Sequence, residues 1–227
     1  MHLVVEGWAR ADSLQVRDQA EWESDGLLEA VAVSARHDLA VEANLVPAAC
    51  NPTIVGGSTI DYGRISAAEL EDAAETTLPG NRSFDLSVSC DAATQFAVRA
   101  TDNRAGSRSA MDGVSFGLGT AAGGERIGYF RLNVQTAGSA IDALPPSKAL
   151  LSMDGGLTWV HEDNIGLRND GTGWVGLSKS VGETTPSMAT HAVFHIAIDT
   201  KIAPRETLPT TGEINLDGNV TLEVFTL

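Results

Sequence analysis

Cysteine is scarce in this chain: 227 residues contain two, Cys50 and Cys90, with no CxxC pair. Two thiols cannot fill the four positions of a structural zinc site by themselves. Basic residues are also few, 15 against 30 acidic ones, for a formal charge of -15 and a pI near 4.5. A polyanion would be repelled over most of such a surface, so the sequence excludes nucleic acid as a partner class. No apolar run approaches the length of a membrane span. Aromatics are only 5% of the residues, while glycine occurs 23 times and hydrophobic residues reach 43%, the composition of a folded, turn-rich chain. A chain of this length buries a sizeable core without metals or many disulfides.

The first 37 residues differ in texture from the rest, with scattered acids and two of the four tryptophans. They lack the basic start and apolar stretch of a secretory signal. They read as an atypical leader or as a start assigned upstream of the true domain, and residues 38–227 as one domain. From Asp38 onward, short runs alternate in hydrophobicity between turn signals: DLAVEANLV, STIDYGRI, SFDLSVSC, QFAVRATDN, RIGYFRLNVQ, KALLSM, HAVFHIAID and NVTLEVFTL. Period two puts Phe84, Leu86 and Val88 on one face. About ten such strands with no βαβ rhythm predict an all-β antiparallel sandwich. One short helical stretch is expected over Ser66–Glu75, where Ser66 caps a turn whose third position is Glu69.

Several motifs suggest chemistry, each with a plainer reading. GVSFG, Gly113 to Gly117, fits a hydrolase nucleophile elbow at Ser115, but no apolar strand precedes it and the glycines that follow oppose a helix. GLGTAA, Gly117 to Ala122, fits a loose dinucleotide fingerprint and reads as a glycine-rich hairpin connection instead. His191 and His195 in HAVFHIAID fall on a strand, which separates them by roughly 13 Å along one face. That spacing opposes a shared metal ion, so no metal site or cofactor is expected. SMDGGLTW resembles the Asp-box of sialidases and related propellers, a structural hairpin. By that resemblance Ser152, Asp154, Gly156, Thr158 and Trp159 form a turn staple, with Asp bonding its own turn and Gly accepting positive φ. Trp159 and Trp174, placed on nearby loops, open an alternative reading as a glycan-binding module of the envelope.

Nothing local to Cys50 would lower its pKa, although a distant histidine stays open. The other reading is a Cys50–Cys90 disulfide closing a loop of 40 positions, which implies an oxidising compartment. Here DLAVEANLVPAACNPTI, IDYGRI and SFDLSVSCD resemble the opening of bacterial fimbrial subunits of the chaperone–usher route. Closer still, VPAACNPT, YGRIS, CDAATQFAVRATDNRAGS, the SMDGGLTW box and LDGNVTLEVFTL resemble domain-of-unknown-function family 1120, a family of secreted, fimbria-like bacterial proteins. The likeness covers about Asp38 to Leu227. It implies an immunoglobulin-like, pilin-like sandwich with that disulfide, and a non-enzymatic fimbrial or adhesin-type subunit in the periplasm or on the cell surface. Its implied partners are a periplasmic chaperone, an usher and neighbouring subunits, through β-strand complementation. The last strand, with Val220, Leu222, Val224 and Phe225, would be the pairing edge. The penultimate aromatic of the fimbrial pattern is absent, since Phe225 is third from the end and Thr226 takes its place. The stretch LLEAVAVSARH makes a poor donor strand because Glu29 interrupts it.

Overall fold

The computed structural model describes residues 49–209 and 212–227. The leader expected over residues 1–37, its boundary at 38 and the run DLAVEANLV lie outside the described residues. Among the described residues twelve strands follow one another: β1 (Cys50–Val55), β2 (Thr76–Thr77), β3 (Arg82–Thr94), β4 (Phe96–Asp102), β5 (Ser115–Gly117), β6 (Gly128–Ile141), β7 (Lys148–Ser152), β8 (Val160–Glu162), β9 (Asn164–Gly166), β10 (Trp174–Ser178), β11 (Ala189–Ile202) and β12 (Val220–Thr226). They form two sheets. One has the order β1-β3-β11-β6-β5, with β2 added to β11 and β9 to β6; the other has the order β12-β4-β10-β7-β8. All strand pairs are antiparallel. The all-β class and the two-sheet antiparallel sandwich are therefore borne out.

The alternation that predicted strands is the alternation that builds the core. Leu86 and Val88 of β3, and Ala192, Phe194 and Ile196 of β11, are all within 2% of complete burial, and Phe84 and Ile198 pack against them. Phe194 meets Phe96 of the opposite sheet edge-on at 6.3 Å between ring centroids, and Phe116 stacks on Phe130 at 5.3 Å. Each such side chain contributes roughly 1.5 to 3 kcal/mol by leaving water. The strands β3, β6 and β11 run 13 to 14 residues, whereas those of the second sheet run 7 or fewer. The segments between strands supply further core groups: Tyr62, Ile65, Leu70, Leu78, Leu208, Ile214 and Leu216. Tyr62 donates its hydroxyl hydrogen to Thr200 Oγ1 at 2.9 Å, and Leu78 N–H donates to the Thr200 carbonyl.

Two expectations need correction here. STIDYGRI forms no strand; its Tyr62 and Ile65 pack on the core as irregular chain. The helix expected over Ser66–Glu75 is a single 3-10 turn, Ala67–Glu69, and two further 3-10 turns occur at Ala105–Ser107 and Arg205–Thr207. The capping box itself is present, with Ser66 Oγ accepting from the helical turn and Glu69 Oε1 accepting from Ser66 N–H at 3.1 Å. Nothing extends the turn, because Glu71 N–H donates to Thr76 Oγ1 and the Glu71 and Asp72 carbonyls accept from Arg205 and Glu206. Tertiary partners thus take the backbone groups that a longer helix would need.

Candidate functional site: two edge strands, a sulfur bridge and a turn staple

Cys50 and Cys90 are direct register partners of β1 and β3 and are joined as a disulfide. Both lie on the same strand pair because Ala49 and Asp91 continue the ladder beyond them, Asp91 N–H donating to the Ala49 carbonyl and Ala49 N–H to Asp91 Oδ1. Among the described residues β1 is the edge of its sheet. It carries Pro52, which lacks an N–H and is tolerated on an edge. The other sheet ends in β12, paired only with β4 among the described residues, in register from Val220 opposite Asp102 to Thr226 opposite Phe96. β1 and β12 approach one another, so two edges flank the same side of the sandwich.

The side chains between these edges are only half covered. Val220, Leu222 and Val224 of β12, with Cys50, Ile54 and Cys90, pack against the core yet remain partly exposed. Phe225 does not join them. Strand alternation sends it to the outer face, where it meets Trp174 edge-on at 4.1 Å and lies under the Arg99 guanidinium at 5.5 Å. Arg99 in turn pairs with Glu223 at 2.8 Å. The core-facing side of β12 is therefore Val220, Leu222 and Val224, and Phe225 anchors the strand from behind.

The loop from Ser152 to Trp159 folds over that anchor. Asp154 Oδ1 accepts from Ser152 Oγ at 2.8 Å, Leu157 N–H at 3.1 Å and Thr158 N–H at 2.9 Å, and Oδ2 accepts from Thr158 Oγ1 at 2.6 Å. Gly156 N–H donates to Ser152 Oγ, and Trp159 Nε1–H to the Gly156 carbonyl at 3.0 Å. Gly156 has φ +88°, and a Cβ there would sit 3.2 Å from the Trp174 ring, so both conformation and space call for glycine. Trp174 is not on a loop as expected: it begins β10 and is half-buried between Phe225 and Gly156. Both indoles thus have intramolecular partners.

Hydrogen bonds from Thr158 and Ser152 hold the Asp154 carboxyl down at about 2, below its ordinary 3.8. A depressed carboxylate adds stability above its unfolded value, and that stability is lost as pH falls through the folded value. The Asp154→Asn protein is expected to melt below the parent at neutral pH, with the difference closing as pH drops from about 4 to about 2. A melting-temperature series across that window checks it; a constant difference would contradict it.

The remaining sequence candidates are structural. Ser115 lies inside β5, fully buried, with its Oγ accepting from Arg131 Nε at 3.2 Å, so it stands on no elbow. Gly117 is required by close approach, since a Cβ would fall 2.3 Å from the Arg104 carbonyl oxygen. Its N–H donates to the buried Asp102 carboxylate, which also accepts from Arg104 N–H. The stretch from Ala121 to Glu125 closes as a turn, Ala121 N–H donating to the Glu125 carbonyl, as a hairpin connection should. His191 and His195 project from β11, with ring nitrogens hydrogen-bonded to Ser87 Oγ at 3.1 Å and to Asp85 Oδ1 at 2.7 Å.

Residues 39–115 match the family model described as Protein of unknown function (DUF1120). That segment includes the sulfur-bridged strand pair and β4, while Gly117, the turn staple and β12 lie beyond it. The chain is also similar to Protein GltF of Escherichia coli (strain K12), 26% identical over 220 residues, covering 82% of this chain and 87% of the relative. Uncharacterized protein YhcF of the same strain is 25% identical over 222 residues, with coverage of 85% and 91%. No solved structure matches. Among the described residues, no helix is long and apolar enough to cross a membrane. The disulfide fits an extracellular or periplasmic protein.

Proposed function

We propose that the protein is an exported, non-enzymatic subunit of fimbrial or adhesin type, which binds a neighbouring chain by adding a strand at the β12 edge. One observation carries this reading: among the described residues β12 is an edge whose three core-facing residues are left half covered, beside the sulfur-bridged edge of the other sheet. Backbone groups on such an edge supply affinity, and alternate side chains facing the core supply specificity. A chaperone or usher would be met at the same edge, in the periplasm or at the cell surface. The experiment is titration with a capped peptide of alternating valine and threonine, matched to the seven residues of β12. The peptide is expected to raise the melting temperature and slow amide exchange along β12, and Leu222→Glu is expected to abolish both effects. Unchanged β12 amides at saturating peptide would sink the proposal.

A further inference from the structure

Away from the paired edges, three arginines converge on the turn Asp112–Gly113. Arg131 Nη2–H donates to Asp112 Oδ2 at 2.7 Å, and the carboxylate also accepts from Val114 and Ser115 N–H. Burial alone would raise the Asp112 pKa; these hydrogen bonds outweigh it and hold the group at about 2. Arg108 Nη1–H donates to the Asp112 carbonyl at 3.3 Å, and Asn169 Nδ2–H to the same carbonyl at 2.9 Å. The third arginine, Arg168, is different. Its Nε is shielded from water and has no acceptor among the described residues, and its nearest acid, Asp170, is 3.6 Å from Nη2. The other oxygen of Asp170 is engaged by Thr172 N–H and Oγ1–H.

The surroundings of Arg168 fit the guanidinium closely. A Cβ on Gly113 would lie 2.1 to 2.2 Å from Nη1, Cζ and Nη2, and one on Gly173 would lie 2.2 Å from Cγ. Near-equal distances to those three atoms mean that Gly113 covers the flat face of the fork, while Gly173 takes the stem. The edge of the fork is left with its donors, and 31% of the side chain is open to solvent. Its backbone is fixed on both sides: Leu167 is fully buried, and Asn169 N–H donates to the Gly113 carbonyl at 3.0 Å. Arg99, Arg104, Arg108 and Arg131 all have acceptors at hydrogen-bond distance. A shielded, unpaired donor on a fixed cation is destabilising until an acceptor arrives.

We propose that Arg168, seated between Gly113 and Gly173, is a binding site for a carboxylate, carried by a small organic acid or by an acidic sugar. With one face of the guanidinium covered, a ligand enters in the plane of the fork, where a carboxylate accepts two parallel N–H bonds. The proposal does not depend on strand addition at β12, and neither experiment decides the other.

The test follows the Arg168 Nε–H resonance of the intact chain while acetate, glucuronate or glucose is added. Acetate and glucuronate are expected to shift it, and glucose is not. Equal affinities identify the carboxylate alone as the ligand; about tenfold tighter glucuronate adds contacts to the sugar ring. Arg168→Lys, which keeps charge but loses the fork, is expected to weaken binding at least about tenfold. Arg168→Gln abolishes it. Asp170→Asn removes a nearby negative charge and is expected to tighten it, a result that does not require any Arg168 variant to fold. A resonance unmoved by either acid overturns the site. So does an Asp170→Asn protein that melts lower and still ignores the acids, because Asp170 is then the fork's own partner.

Discussion

Protein with both Cys50 and Cys90 replaced by alanine is expected to be about 3 to 4 kcal/mol less stable than the oxidised chain, the loop-entropy value for a closure of 40 residues. For a domain of this size that corresponds to a melting temperature lower by about 10 °C. The loss should be local as well as global. β1 holds few core contacts of its own, since Asn51, Pro52, Thr53 and Val55 are exposed and only Cys50 and Ile54 turn inward. Its amides should therefore lose exchange protection before those of β3. Thiol titration of native protein is expected to find no free cysteine until a reductant is added. Two reactive thiols without reduction, or a melt unchanged by the double substitution, would remove the covalent link from the account.

Phe194→Ala is expected to cost about 3 to 5 kcal/mol, since the ring is fully buried and the cavity left between the sheets removes contacts with Phe96. Its neighbour provides the control. His195 is one residue along the same strand but on the opposite face, half-exposed and paired with Asp85, so His195→Ala should cost no more than about 1 kcal/mol. Denaturant melts of the two variants measure the contrast between the faces of β11. Equal losses would contradict the assignment of inner and outer faces.

Period two made that contrast legible before any coordinates, because β11 has one face in the core and long strands repeat the pattern enough times to show it. The turn staple was legible for a different reason. All its partners lie within eight residues, from Ser152 to Trp159, so the chemistry is local. β1 shows no alternation, since four of its six residues are exposed. β5, β8 and β9 are three residues long, too short to display a period. Phe225 enters the expected edge only through the family resemblance; register puts it opposite Ala97 and against Trp174. Arg168 left no trace in the pattern, since its cradle is assembled from Gly113, 55 positions earlier, and from Gly173.

The second sheet is completed across a long stretch of chain. β12 pairs with β4, and Arg99 must wait 124 positions for Glu223. Such distant pairings are slow to form because loop closure precedes any reward. Until β12 docks, β4 has one unpaired side and Trp174 lacks Phe225. The second sheet therefore closes late in folding, and hydrogen-exchange protection along β4 and β10 waits on a pairing far away in the sequence.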